Sequence, residues 1–222
     1  MYITNKCILT IALMGFMAYP AHGVLYEQAP PDPTLLGHFS YIDPGGNADN
    51  FTLSMGSWVT AFTWYGYYAD ADLADGVSSV NFLVRLYSNN TSGIYPLPGG
   101  VLYDATLTAS VTDSGLDVDD GLYDDKTIYR FIADLSSSPV LVAAGETWLS
   151  VVENSSEDPS WLWSRYNSTP LGSAFQYLDS TWAVGDSNHA FSLEGAVVPV
   201  PGAFLLGMLG LSVAGVKLRK HA

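Results

Sequence analysis

The sequence predicts an all-β protein, folded as an antiparallel, jelly-roll-like β-sandwich. One observation is composition: 21 Gly, 12 Pro and many aromatics (6 Trp, 14 Tyr and 9 Phe) favour turn-rich β structure. Another is periodicity, since side chains from Val80 to Tyr87 alternate with a period of two, as in a strand with one buried face. Finally, no stretch between residues 24 and 195 carries a sustained helical stripe. About ten short strands at this spacing are typical of a sandwich.

Each predicted strand is a short run rich in aromatic and β-branched residues, bounded by turn-forming residues. Residues 24–34 contain three prolines and predict an extended lead-in before the first strand. The predicted strands cover residues 37–42, 50–54, 58–68, 80–87, 101–109, 127–134, 147–152, 160–166, 173–178 and 189–194, with turns predicted at residues 43–46, 98–100 and 144–145.

Charge is distributed unevenly along the chain. All 22 acidic residues lie between Glu27 and Glu194, where only four basic residues occur, so this stretch has a net charge of −18 against −14 for the whole chain. Such a surface repels phosphate backbones, which excludes nucleic acid as a partner. The hydrophobic content of 48% also excludes a disordered chain.

Residues 1–23 are predicted to be a secretory signal peptide. Lys6 supplies the positive start, residues 7–18 form an apolar run, and small residues at Ala21 and Gly23 predict cleavage by signal peptidase after Gly23. A buried N-terminal helix is the alternative, but it would not explain the small residues. The single cysteine, Cys7, lies in this segment, so the mature chain has no disulfide, which suits a bacterial envelope protein.

The C-terminal segment predicts a transmembrane helix. Residues 196–216 form an uncharged stretch of 21 residues, long enough to cross a membrane, with residues 203–216 as its apolar part. The basic residues that follow should stay in the cytoplasm by the positive-inside rule, which leaves the acidic domain outside. Those basic residues are Lys217, Arg219 and Lys220.

The order of features at this end resembles a PEP-CTERM protein-sorting signal. A Pro-x-Pro motif precedes the apolar Gly/Leu-rich segment and the short basic tail, and its residues are Val198, Pro199, Val200 and Pro201. The resemblance covers about the last 25 residues and implies recognition by an exosortase, a membrane protease that processes proteins exported to the cell surface. The family's usual middle residue is Glu, where this chain has Val200. An ordinary, uncleaved single-pass anchor is the alternative.

The sequence therefore predicts three parts: a signal peptide (1–23), an extracytoplasmic β-sandwich (24–195) and a sorting signal (196–222). The predicted function is that of an exported bacterial protein. It would be anchored at the envelope, released to the cell surface or extracellular matrix, or both.

No catalytic motif is recognisable in the chain. His38 and His189 each stand alone in a predicted strand, without the spacing of a zinc-binding motif. Gly-x-Ser-x-Gly and phosphate-binding glycine loops are absent from the sequence. We therefore predict a non-enzymatic protein with no catalytic or cofactor-binding residues.

Trp161 and Trp163 are the candidate ligand-binding residues. Their i, i+2 spacing puts both on one face of a strand, where they serve either as core filling or as an exposed platform for sugar rings. The second interpretation supports the alternative function, a polysaccharide-binding module or glycan-active enzyme.

An acidic segment, residues 113–125, is the candidate calcium site. Its carboxylates suit Ca²⁺, which takes 6 to 8 oxygen ligands, but the spacing does not fit the EF-hand template. We favour carboxylates that point apart into water and keep the domain soluble, with Ca²⁺ as the alternative. The six acids are Asp113, Asp117, Asp119, Asp120, Asp124 and Asp125.

Overall fold

Antiparallel β-strands make up the regular structure of the described part of the chain. The computed structural model describes residues 22–40, 46–70, 72–74, 76–92, 95–154, 161–167, 175–178, 181–185 and 188–198. The strands are β1 (Gly23–Gln28), β2 (His38–Phe39), β3 (Asn47–Leu53), β4 (Ser57–Tyr68), β5 (Ser79–Asn90), β6 (Leu97–Asp117), β7 (Thr127–Asp134), β8 (Val140–Val142), β9 (Gly145–Glu153), β10 (Trp161–Trp163), β11 (Arg165–Asn167), β12 (Phe175–Leu178), β13 (Thr181–Val184), β14 (Asn188–His189) and β15 (Phe191–Val197).

One large sheet contains most of these strands, in the order β1-β15-β4-β7-β6-β5-β9-β3-β12-β13. The short strands β8 and β10 add to β4, and β2 pairs with β10. Strands β11 and β14 form a separate pair. The pairings between described strands are antiparallel, so the predicted all-β, antiparallel class is confirmed.

The sheet curls, so strands far apart in its order share one core. Trp64 of β4 meets Phe82 of β5 edge-on, with ring centroids 5.0 Å apart. Tyr26 of the edge strand β1 contacts Phe191 of the neighbouring β15, with ring centroids 5.4 Å apart. It also contacts Phe51 of β3, at 5.6 Å, although β3 is far from β1 in the order of the sheet. Aromatic rings thus fill the space that the curled sheet encloses.

Strand β5 has the predicted alternation. Phe82, Val84 and Leu86 are buried in the core, whereas Leu83 and Arg85 between them are half-buried on the other face. Strand β7 coincides with its predicted range, and β4 extends the predicted range by one residue.

Three local predictions are wrong. Residues 24–28 of the expected lead-in belong to β1, which pairs with β15. Residues 98–100 lie inside β6, where the β5–β6 register shifts twice around Tyr87, because Gly and Pro mark bulges as well as turns. The folded unit also passes the expected boundary at Gly195: Ala196 and Val197 still pair with β4.

Within the ranges given above, no helix is long and apolar enough to cross a membrane. The predicted span lies outside the described residues.

Candidate functional site

Trp161 and Trp163 are buried, with 1% and 0% of their surface exposed. The ring of Trp161 lies edge-on to Phe82, 5.0 Å between centroids, and the indole N–H of Trp163 donates to the carbonyl of Ala190 at 3.2 Å. Of the two interpretations left open by the sequence, the structure therefore supports core filling and excludes an exposed glycan platform at these two residues. Their i, i+2 spacing does put both on one face, but β10 turns that face towards the core.

The predicted sorting motif is described only at its first residue. Val198 follows β15 directly, and its N–H donates to the carbonyl of Gly56 at 2.8 Å. The remaining residues of the motif and tail, Pro199, Val200, Pro201, Lys217, Arg219 and Lys220, lie outside the described residues, as does the segment 203–216.

Three carboxylates of the acidic segment accept hydrogen bonds from nearby backbone amides. Asp113 Oδ1 accepts from the N–H of Gly115 at 2.7 Å, and Asp124 Oδ1 accepts from that of Gly121, also at 2.7 Å. Asp120 Oδ1 accepts from two amides, those of residues 122 and 123, each at 2.8 Å. Among the residues described, no group of three or more His, Cys, Asp or Glu side chains is arranged to hold a metal ion.

Strand pairing brings His38 and His189 together from positions 151 residues apart. His38 pairs with Trp163 of β10, and His189 pairs with Arg165 of β11, two residues further along the same segment. His38 Nδ1 consequently lies 3.3 Å from His189 Nε2, with the two rings at 66°. Trp163 stacks on the His189 ring, 4.4 Å between centroids.

Asp49 lies behind His189. It shares the inward face of β3 with Phe51 and Leu53, and both Asp49 and His189 are fully buried. Asp49 Oδ2 accepts the backbone N–H of His189 at 2.5 Å and lies 3.8 Å from the ring Nδ1. Asp49 Oδ1 and His189 Nδ1 are both buried and make no hydrogen bond within the described structure. We call His38, Asp49, Trp163 and His189 the histidine cluster.

Burial moves the pKa values of Asp49 and His189 in opposite directions. Removal from water raises the pKa of Asp49 well above 3.8, although the backbone amides of His189 and Asn50 favour its charged form. Removal from water also lowers the pKa of His189 well below 6.5, and the positive charges of His38 and Arg165 lower it further. Burial therefore favours the neutral forms of both Asp49 and His189.

The two imidazoles of the histidine cluster can act as hydrogen-bond donor and acceptor towards each other. A neutral imidazole offers one ring nitrogen as donor and the other as acceptor, and His189 Nε2 lies within hydrogen-bond distance of His38 Nδ1. His38 is half-buried, so it connects the buried pair with the surface.

A second polar group crosses the outer face of β3, β9 and β5. Glu146 accepts from the amide nitrogens of Asn50, at 2.5 Å, and of Asn89, while Trp148 Nε1 donates to Asn89 Oδ1 at 3.1 Å. These four residues form what we call the Glu146 network, in which all but the buried Trp148 are half-buried. The half-buried Trp182 lies edge-on to nearby Tyr87, 5.5 Å between centroids.

Comparison of the chain with protein-family models, with curated proteins and with solved structures finds no match.

The sequence contained no local signal for either group. Asp49 and His189 are 140 residues apart, and Asn50 and Glu146 are 96 apart, so only the strand pairing brings them together. Adjacent residues of β3, Asp49 and Asn50, point to opposite faces and belong to different groups, as the period of a strand requires.

Proposed function

We propose that this is an exported bacterial protein of the cell surface or extracellular matrix, without catalytic activity. The observation that carries the proposal is the C-terminal order of Pro-x-Pro motif, uncharged span and basic tail, combined with an N-terminal signal. Its processing partners are signal peptidase and an exosortase, and it contacts the membrane through residues 203–216.

The end of the described domain supports this proposal. The last strand stops at Val197, and Val198, the first residue of the motif, makes one more backbone hydrogen bond. Proline lacks an N–H group, so Pro199 and Pro201 cannot donate to a strand ladder. The motif therefore begins directly after β15.

The proposal includes a jelly-roll-like sandwich for the curled sheet. Its two layers would be the strands around β4 and those around β5 and β9, and the contact between Trp64 and Phe82 across the core supports this division. Acidic side chains on such a domain keep an exported protein soluble.

Cell fractionation with and without the exosortase tests the sorting step. We expect the full-length gene product to appear as a shorter, surface-associated form in the parent strain and as a longer, membrane-retained form without the enzyme. The double variant Pro199→Ala/Pro201→Ala should behave in the parent strain like the wild type without the enzyme. Pro139→Ala, in an exposed loop, is the matched control. Identical size and retention in both strains would leave an ordinary anchor.

The alternative function, polysaccharide binding, is favoured by one observation. The Glu146 network presents half-buried amide and carboxylate groups, and the half-buried Trp182 lies close by, edge-on to the buried Tyr87. Such groups can hydrogen-bond sugar hydroxyls and stack on sugar rings. This face replaces Trp161 and Trp163 as the candidate glycan surface.

A glycan array probed with the full-length protein tests this alternative. Trp182→Ala should abolish any binding, whereas Trp58→Ala, which changes a tryptophan 43% exposed on β4, should leave it unchanged. Absence of binding to every polymer, or equal binding by the two variants, would reject a glycan site at this face.

A further inference from the structure

One edge of β6 lacks a neighbouring strand over much of its length. Residues 97–110 of β6 pair with β5 along one edge, but β7 pairs along the other edge only at residues 110–117. Among the strands that the structure describes, none pairs with this second edge before Ser110. We call residues 103–109, which lie beyond the irregular register around Tyr87, the free edge of β6.

The apolar face of the core continues as far as the free edge. Tyr103 and Leu107 pack against the main core, yet both are only half-buried. Their partners across the ladder in β5, Leu86 and Phe82, have no more than 1% of their surface exposed. The core therefore ends at β6 in apolar side chains that a further strand would cover.

The free edge lacks the features that usually protect an exposed strand. The N–H and C=O groups of an edge are a template for pairing, and natural edges are guarded by lysine, proline, bulges or inward-pointing charges. Residues 103–109 contain no Lys, Arg or Pro, and they pair with β5 in regular register. Their one charged side chain, Asp104, accepts a hydrogen bond from Arg85 of β5 at 3.3 Å. Such an edge favours the addition of a strand.

Charge favours a second copy of this chain as the occupant of the edge. The stretch between Glu27 and Glu194 has a net charge of −18, so two copies repel each other through their acidic surfaces. The free edge differs, because its only charge, Asp104, is paired with Arg85. Two identical acidic chains can therefore meet here without bringing unpaired like charges together.

A twofold axis at Thr106 pairs the whole free edge with itself. In an antiparallel ladder about this axis, Thr106 lies opposite Thr106 of the second copy, and Asp104 lies opposite Thr108. On the inner face, Ala105 lies opposite Leu107 of the second copy. This register joins the two apolar faces and keeps the two Asp104 carboxylates from lying opposite each other.

We propose that two copies of this chain associate through the free edge of β6, as an antiparallel ladder about Thr106 that joins their sheets. This self-association goes beyond the proposed sorting and does not involve the C-terminal tail. The competing occupant is an extended segment of a different protein.

Disulfide trapping tests the register. In the full-length protein, purified in detergent and carrying Cys7→Ser so that the introduced thiol is the only one, Thr106→Cys should form a disulfide-linked dimer on mild oxidation. Residues directly opposite in an antiparallel ladder have Cα atoms about 4.5 or 5.5 Å apart, within the range of a disulfide. Ser110→Cys is the matched control, since this exposed residue of β6 pairs with β5 on one edge and β7 on the other. Equal trapping at the two positions would overturn the proposed register.

Light scattering of the full-length protein in detergent tests the association itself. We expect a dimer for the wild type, and a dimer dissociation constant raised about fivefold in Thr106→Asp, because two like charges then lie directly opposite. Ser110→Asp should keep the wild-type constant. A wild type that stays monomeric at the highest soluble concentration, as expected if another protein fills the edge, would overturn the proposal. Neither measurement depends on cleavage of the tail, so failure here is distinct from failure of the sorting step.

Discussion

At the scale of single residues, the histidine cluster contains two ionisable groups that are buried where one end of β3 meets β14. An uncompensated charge there would be costly, since neither Asp49 nor His189 has any exposed surface. Because the pKa of Asp49 is raised and that of His189 lowered, the pair can be buried with both members neutral. The unfolded chain has no such constraint, which makes the stability of the fold sensitive to pH.

The two groups have opposite effects on stability. Asp49 contributes most below its ordinary pKa of 3.8, and that contribution is lost as the pH rises through its raised folded pKa. His189 contributes above its ordinary pKa of 6.5, and that contribution is lost as the pH falls towards its lowered folded pKa. Between pH 3.8 and 6.5 the two effects therefore oppose each other.

Asp49→Asn should remove the effect of Asp49 on the pH dependence of stability and leave that of His189 unopposed. We expect the free energy of unfolding of the variant to fall more steeply than that of the wild type as the pH is lowered from 6.5, by up to about 1.4 kcal/mol per pH unit. Urea unfolding of the full chain across this range measures both slopes. Asp70→Asn, at an exposed position, is the control and should keep the wild-type slope. Parallel slopes for Asp49→Asn and wild type would contradict the shifted pKa values.

At the scale of elements, β10 lies so close to β4 that one position requires glycine. A Cβ atom on Gly66 would lie 2.6 Å from the carbonyl oxygen of Leu162 and 2.5 Å from the indole nitrogen of Trp161. Neither can move without disturbing the β4–β10 pairing that positions Trp163 against His189.

Gly66→Ala should therefore destabilise the protein by about 1–3 kcal/mol through overpacking. Gly56→Ala, just before β4, is the matched control, because the nearest atom to its added Cβ is 3.7 Å away. Urea unfolding of both variants measures the difference. Equal stabilities would show that β10 does not pack on β4 as described.

The acidic segment gives a prediction at the same scale. Three of its carboxylates accept hydrogen bonds from nearby backbone amides, so we expect Ca²⁺ to have no more effect on the melting temperature than Na⁺ at equal ionic strength. A specific site would instead stabilise the fold by about 2.7 kcal/mol at a hundredfold excess over Kd, a shift of several degrees. Thermal melts in EDTA and in millimolar Ca²⁺ measure this. A calcium-specific rise of more than a few degrees would contradict the prediction.

The strands could be predicted from sequence because their signal is local. Alternation along β5 and the aromatic and β-branched content of β4 and β7 depend on neighbours in the chain, and these strands lie where expected. Which face is buried is not a local property. Trp161 and Trp163 share a face in either interpretation, and only the pairing of β10 with β4 puts that face inside.

The histidine cluster was missed for the same reason. A zinc-binding motif is recognisable when its ligands share one helix or loop, whereas His38, Asp49 and His189 are on three strands, β2, β3 and β14. Their proximity depends on the curl of the whole sheet. The sequence shows that the chain contains these residues, but not that they lie close together in the fold.

At the scale of the whole molecule, we propose a folded β domain with a processing signal at each end. The first residue after the predicted signal-peptide cleavage, Val24, is 60% exposed and pairs with Glu194, so the first and last described strands are neighbours. Removal of residues 1–23 leaves most of β1 in place, and removal of the tail after Val198 leaves all of β15.

The intact mass of the protein recovered from the cell surface tests both proposed processing cuts at once. We expect a chain that begins at Val24 and lacks both the span 203–216 and the basic tail, because signal peptidase and the exosortase would each make one cut. A surface mass that includes residues 203–222, or a chain that still begins at Met1, would contradict it.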